Sequence, residues 1–239
     1  MNDARSTANP AHAKTEVAVQ FMRRHWYSVG AVVAVGALIY LLYEWSMIGA
    51  LQRLLLLNFI VLLLHQFEEY GWPGGFPAIM NMVLRQSAQP DRYPLNQTSA
   101  MAINVLAAYG FYLIPVFFPN VIWLGLAPVL FGMAQFVIHG IVTNRKLRSI
   151  YNPGLAAVVF GHIPIGILYI YYICTHNMVG VEDWVFTVLY MFAFQYLGLL
   201  KMTFTWLADR SSPYPFAANE MRRFNVPHRL ERLKGKMPS

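Results

Sequence analysis

The chain has 239 residues, 57% of them hydrophobic and 12% charged, with a formal net charge of +7. This composition excludes an ordinary soluble domain, which carries about twice this share of charged residues, and it predicts a membrane protein. The single cysteine, Cys174, excludes an intramolecular disulfide. We expect no nucleic-acid partner.

Six segments of the sequence are long and apolar enough to cross a membrane, since a helical crossing needs about 20 mainly apolar residues. They predict an all-α fold, a polytopic membrane helix bundle. Prolines inside three of these segments predict kinks and not helix ends, because neighbouring helices can satisfy the freed backbone groups. The segments cover about residues 28–48, 51–70, 100–118, 121–143, 155–175 and 184–207.

These segments divide the chain into three parts. We expect a cytoplasmic N-terminal segment at residues 1–27, a six-helix transmembrane domain at 28–207 and a basic cytoplasmic tail at 208–239. The longest connection, 72–99, contains an apolar stretch at 77–85 that is too short to cross. It predicts a short interfacial or re-entrant helix.

Lysine and arginine residues are concentrated in alternate connections of this bundle. They occur before the first segment, between the second and third, between the fourth and fifth, and in the tail, whereas the intervening turns hold only Arg53. Cytoplasmic loops carry such an excess, so both termini are expected in the cytoplasm. The tail is expected to be a solvated end attracted to anionic lipid headgroups, and the oligomeric state is left open.

The second segment ends in a polar group within an otherwise apolar sequence. At about 100° per residue, Glu68 and Glu69 lie to either side of the helix face that carries His65. His139 lies near the end of the fourth segment and His162 near the start of the fifth. With a rise of 1.5 Å per residue, the three histidines lie roughly 6 to 12 Å inside the cytoplasmic boundary. They share a depth in the membrane.

A divalent metal ion would explain this arrangement. Ionisable groups in hydrocarbon cost several kcal/mol and are usually paired, water-facing or functional, and two buried carboxylates repel each other unless a cation lies between them. Histidine and carboxylate ligands without a thiol suit zinc, iron or manganese. The predicted metal residues are His65, Glu68, Glu69, His139 and His162.

The roles within this set differ. Glu69 is expected to be a ligand with the three histidines, and Glu68 the general base, although the i+3 position of Glu68 also permits ligation. A lone histidine is more often an ordinary hydrogen-bonded core residue, and a glutamate near a helix end can simply reach the headgroups. Four amides are expected to orient or support the ligands: Asn58, Gln135, Asn144 and Asn152.

The motif His65-Gln-Phe-Glu68-Glu69, the following Trp72-Pro-Gly-Gly-Phe76 and the later Asn152-Pro153-Gly154 with a histidine downstream resemble the HXXEE-domain family of bacterial membrane proteins. The resemblance extends over most of residues 50–205. It implies an integral protein of the bacterial inner (cytoplasmic) membrane that is suspected of metal-dependent activity, and it supplies no substrate. The motif's residues are carried over to His65, Glu68 and Glu69, and the later segments match at His139, Asn152 and His162.

Function is expected to follow from the metal. The preferred hypothesis is a metalloenzyme that acts on an amphipathic or lipid-like molecule near the cytoplasmic leaflet, by hydrolysis with metal-activated water. Its ligand set is similar to that of membrane ceramidase-type hydrolases. The alternatives are a non-haem iron or di-iron oxidase or hydroxylase, a transporter, and a proton-initiated terpene cyclase that uses Glu68 or Glu69 as its acid. Intramembrane charge on one side only, without an internal repeat, argues against transport.

Overall fold

The computed structural model describes residues 10–235. Within this range there is no β-strand, and six helices are long and apolar enough to span a membrane, which confirms the predicted all-α bundle. In chain order the helices are α1 (Pro10–Tyr43), α2 (Ala50–Tyr70), α3 (Phe76–Ala78 continued by Ile79–Leu84), α4 (Gln97–Phe117), α5 (Ile122–Leu147), α6 (Leu155–Thr175), α7 (Val181–Trp206), α8 (Ala218–Arg222) and α9 (Val226–Lys234). The six helices long enough to span a membrane are α1, α2, α4, α5, α6 and α7.

Local sequence sets several of these helix boundaries. Asn96 begins α4 because its side chain accepts hydrogen bonds from the backbone N–H groups of Thr98 and Ser99, which the helix itself leaves unpaired. Three prolines lie inside spanning helices, as predicted, instead of ending them. These are Pro115 in α4, Pro128 in α5 and Pro164 in α6.

The first helix differs from its predicted bounds. It begins at Pro10 and ends at Tyr43, so it starts well before the apolar segment that was expected at 28–48. Residues 15–27 are rich in good helix formers and contain neither glycine nor proline, so the helix continues beyond the apolar segment. The expected boundary between the N-terminal segment and the membrane domain therefore falls inside α1, and residues 1–9 lie outside the described range.

The tail also differs from a solvated end. Phe216, Met221 and Val226 are buried in a cluster with Trp26 of α1 and Ile79 of α3. Phe216 and Met221 belong to no helical apolar pattern, so their packing could not be predicted from the sequence, whereas Val226 and Leu230 recur at the i, i+4 spacing of one helix face. Three tail arginines remain exposed: Arg210, Arg222 and Arg232.

Hydrogen bonds show which helix ends meet. Lys146 Nζ at the end of α5 donates to the carbonyl oxygen of Val83 at 3.4 Å, and Asn96 Nδ2 at the start of α4 donates to the carbonyl oxygen of Leu207 at 2.8 Å. We call this end of the bundle, which also contains the tail, the basic end. At the opposite end, Gln52 Nε2 near the start of α2 donates to the carbonyl oxygen of Val116 near the end of α4, at 3.1 Å.

A labelling experiment tests which side the basic end faces. In a Cys174→Ser background, we predict that Glu182→Cys reacts with a membrane-impermeant maleimide in intact cells and that Arg145→Cys reacts only after permeabilisation, since the excess of Lys and Arg faces the cytoplasm. Both side chains are exposed, so burial limits neither reaction. Labelling of Arg145→Cys in intact cells would invert the orientation.

Candidate metal centre

The last two turns of α2 carry acidic and imidazole side chains into the protein interior. His65, Glu68 and Glu69 are 3%, 9% and 5% exposed. Other helices pack around α2, so that residues on most of its faces meet protein instead of lipid. Buried polar groups of this kind need partners within the protein.

Glu69 forms a compact cluster with two histidines. Its Oε1 lies 3.7 Å from Nε2 of His65 and 3.4 Å from Nε2 of His139, and one ligand atom from each residue fits within a 4.8 Å group. These separations exceed the roughly 2.7–3.2 Å of an N–H···O hydrogen bond. They resemble the spacing of about 3.4 Å between two ligands that each lie about 2.1 Å from one tetrahedral ion. The cluster therefore has the dimensions of a metal site.

Hydrogen bonds fix the tautomers of the His65 and His139 imidazole rings. His65 Nδ1 lies 3.0 Å from the carbonyl oxygen of Gly154, which can only accept, so this nitrogen carries the proton. His139 Nδ1 lies 2.9 Å from Asn152 Oδ1. Asn152 Nδ2 in turn donates to the His139 carbonyl oxygen and to Asn144 Oδ1, each at 2.7 Å, so the amide orientation is determined. In the neutral rings, the Nε2 atoms of His65 and His139 each keep a lone pair that can bind a metal ion.

His162 completes the group of imidazoles. Its Nδ1 lies 2.8 Å from Asn58 Oδ1, and its ring centroid lies 5.9 Å from that of His65. Its Nε2 is buried and has no hydrogen-bond partner. An unpaired buried polar atom costs about 1–3 kcal/mol, and an ion shared with His65 would satisfy it. The compact group of ligand atoms comprises His65, Glu69 and His139, and His162 lies beside it.

Two glycines leave room for these rings. Gly154 has a φ of +101°, and a Cβ there would lie 2.5 Å from Cε1 of His139 and 2.9 Å from Cε1 of His65. A Cβ at Gly132 in α5 would lie 2.5 Å from Nδ1 of His162. Both contacts are shorter than side chains tolerate, so glycine is required at each position for the imidazoles to keep their places.

Glu68 lies apart from this cluster. Its Oε1 accepts hydrogen bonds from Tyr151 Oη at 2.8 Å and from the Ala156 N–H at 3.1 Å, and its Oε2 accepts one from the Ala157 N–H at 2.9 Å. The i+3 spacing from His65 directs it towards the start of α6, where free N–H groups and the helix dipole attract a carboxylate. The structure does not place Glu68 as a metal ligand, and three donors already occupy the oxygens that a general base would use.

Tyr151 was not singled out by the sequence. Burial, followed by its hydrogen bond to Glu68, raises the pKa of Tyr151 well above its usual value, so the phenol remains a donor at neutral pH. Its position next to Asn152-Pro153-Gly154 was the available signal. Of the four predicted amides, Asn58, Asn144 and Asn152 lie in the hydrogen-bond network of the histidines. Gln135 lies instead on the wall of a neighbouring cavity.

This cavity has a volume of about 400 Å³ and adjoins the cluster. His65, Glu69 and His139 form part of its wall, and most of the remaining wall consists of apolar side chains from α3, α4, α5 and α7. Its volume falls within the range of about 300–1,000 Å³ of small-molecule sites. The polar cluster therefore faces a space that suits a largely apolar molecule.

A family model described as a protein of unknown function with HXXEE motif matches residues 56–169. This match confirms the resemblance found in the sequence. The matched range contains all five predicted metal residues and ends before α7 and the tail. Neither the curated proteins nor the solved structures contain a match to this chain.

Replacement of a glycine tests the packing around His162. We predict that Gly132→Ala lowers the free energy of unfolding by about 1–3 kcal/mol, the usual cost of overpacking, because the added methyl group collides with the imidazole. The control is Gly110→Ala in α4, where nothing lies within 4 Å of the added Cβ. Because alanine has a higher helix propensity than glycine, the stability of this control variant should equal or slightly exceed that of the wild type. Equal thermal unfolding of the two variants in detergent would show that His162 is not held against α5.

Proposed function

We propose that this HXXEE-motif protein is a membrane metalloenzyme that acts on an amphipathic or lipid-like molecule near the cytoplasmic leaflet. The ion would be held by His65, His139, His162 and Glu69. The observation that carries the proposal is that the ligand cluster is also part of the wall of the apolar cavity. An ion at the cluster would therefore face a molecule bound in that cavity.

The donor set fits a divalent metal such as zinc, iron or manganese. Three neutral imidazoles with their Nδ1 atoms bonded to protein oxygens present Nε2 as the ligand atom, the arrangement that metal sites use to fix ring orientation. The buried Nε2 of His162, which lacks a partner, supports the same assignment. The Glu69 carboxylate supplies negative charge next to the ion.

Hydrolysis is the preferred reaction. When bound, zinc supplies a Lewis acid and activates water near neutral pH. The chain's own residues hold the imidazoles in place, and the apolar wall excludes bulk water, which strengthens the electrostatic interactions at the cluster. Glu69 is the one carboxylate among the residues that line the cavity, so its second carboxylate oxygen would be the proton acceptor.

A second candidate, a non-haem iron oxidase or hydroxylase, is favoured by one observation. The cluster of His65, His139 and Glu69 contains two histidines and one carboxylate, which is the ligand set of the facial triad in non-haem iron oxygenases. A di-iron centre is less well supported, because the oxygens of Glu68 bind the start of α6 and Tyr151. The identity of the metal separates the two reactions, since zinc favours hydrolysis and iron favours oxidation.

Transport and terpene cyclisation receive less support. A transport path needs polar groups through both halves of the membrane, whereas the core of the bundle towards the opposite end includes fully buried Leu55, Leu126 and Ile173. A proton-initiated cyclase needs an acid but gives no reason for three imidazoles oriented by protein oxygens.

The metal content of the purified protein tests the proposal. We predict close to one zinc, iron or manganese per chain after purification without chelator, and its loss when His65→Ala and His162→Ala are combined. The control is His176→Ala, because His176 is exposed and lies near the opposite end of the bundle. Circular dichroism verifies that each variant remains helical. Wild-type protein free of metal by elemental analysis would refute the metalloenzyme proposal.

The two glutamates provide a sharper comparison. Glu69→Gln is predicted to lose the metal, because its carboxylate lies at the cluster. Glu68→Gln should retain the metal and lose about 0.5–2 kcal/mol of stability, the usual value of a helix N-cap. Metal content and thermal unfolding are measured on the same samples. Loss of metal from Glu68→Gln with unchanged stability would assign Glu68 to the ion instead.

A further inference from the structure

Two cations lie on the wall of the apolar cavity at the basic end. The Arg85 guanidinium carbon lies 4.3 Å from the centroid of the Phe204 ring, and Lys146 Nζ donates to the carbonyl oxygen of Val83. Both residues line the cavity, and Glu69 at the cluster is the one carboxylate among its lining residues. The end of the cavity that carries Arg85 and Lys146 is therefore positively charged, and it is separate from the cluster of Glu69, His65 and His139.

A second pocket extends this positive region. It has a volume of about 460 Å³, shares Arg85 and Phe204 with the cavity and is also lined by Arg210, whose guanidinium carbon lies 4.2 Å from the centroid of the Tyr93 ring. Among residues 10–235, Arg85, Lys146 and Arg210 form no ion pair with a carboxylate. Cations without a counter-charge at the mouth of a cavity attract anions.

The helices set the separation between the cations and the cluster. Phe76 at the start of α3 contacts His139, with ring centroids 5.7 Å apart, and Arg85 directly follows the end of that helix. His139 and Lys146 lie along α5, two turns apart. At 1.5 Å per residue, each path measures on the order of 10 Å. The backbone of each cationic residue is therefore on the order of 10 Å from the cluster, and an anionic group bound there would be separated from the ion site by a comparable distance.

The cavity also reaches the lipid-facing surface. Ile138 of α5 and Leu200 of α7 line it and are nevertheless 37% and 43% exposed. The first half of α7 packs on α5, but its second half packs on the first half of α4. The cavity therefore reaches the outer surface of the bundle between the second halves of α5 and α7.

We propose that the substrate is a single-chain amphiphile with an anionic carboxylate or phosphate head. This inference rests on the proposed function and gives it a substrate class. The head binds Arg85 and Lys146, the chain enters between α5 and α7 and fills the cavity, and the reacting group lies about 10 Å from the head and not at the head itself. The volume of about 400 Å³, at the small end of the range for ligand sites, suits one chain.

Photolabelling tests the substrate class. The probe is palmitate with a diazirine near the middle of its chain, applied to the full-length protein in phosphatidylcholine nanodiscs. We expect saturable labelling of peptides that contain Ile103 or Phe131, which line the cavity. Palmitate or hexadecyl phosphate should compete, and their relative potency identifies the preferred head. Hexadecanol should not compete. Equal competition by hexadecanol, or labelling that does not saturate, would overturn the proposal.

Matched variants test the two parts of the binding site. Arg85→Gln combined with Lys146→Gln should weaken saturable labelling about tenfold or more, as expected for loss of charge-assisted hydrogen bonds, whereas Arg145→Gln, an exposed neighbour outside the cavity, should not. Ile138→Trp should block entry, and Val137→Trp, which faces lipid beside it, should not.

Metal content is measured on the same samples. All four variants should keep the wild-type metal content, so failure of the substrate proposal is distinguishable from failure of the metalloenzyme proposal. Unchanged labelling in the Arg85→Gln, Lys146→Gln double variant would refute the anionic head. Unchanged labelling in Ile138→Trp would refute entry between α5 and α7.

Discussion

The structure depends on how three imidazoles and one carboxylate are accommodated in the interior of an apolar helix bundle. Each ring nitrogen and carboxylate oxygen that leaves water must find a partner or remain costly. Protein oxygens satisfy Nδ1 of His65, His139 and His162. The Nε2 atoms of His65 and His139 converge on Glu69, and Nε2 of His162 lacks a partner. A shared cation would resolve both the charge of Glu69 and the unpaired nitrogen.

Much of the basic end supports this cluster. Oxygens of the Asn152-Pro153-Gly154 turn accept hydrogen bonds from the imidazoles of His65 and His139. The Glu68 carboxylate of α2 accepts a hydrogen bond from the start of α6 and so connects the two helices. Phe224 packs on Tyr151, with ring centroids 5.9 Å apart, and Arg223 donates a hydrogen bond to the carbonyl oxygen of Tyr70 at the end of α2. The tail thus covers the end of α2 from the basic side. The proposed entry between α5 and α7 does not pass through this cover.

The sequence was informative where hydrophobic length and helical periodicity determine the structure. It predicted the six apolar helices and the approach of His65, His139 and His162 to one another, because both follow from distance along a helix. It could not assign Glu68, since the i+3 and i+4 positions are equally able to approach His65 from one helix. The decision depends on the start of α6, which is distant in sequence. The need for glycine at position 132 could not be predicted from the sequence either, because only the packed structure brings Gly132 against His162.

X-ray absorption spectroscopy of the metal in the purified protein tests the four assigned ligands. We predict a first coordination shell of nitrogen and oxygen atoms at about 2.0–2.2 Å, with the outer-shell scattering of three imidazole rings and no sulfur. A shell with sulfur, or one of oxygen atoms alone without imidazole scattering, would contradict the assignment of His65, His139, His162 and Glu69.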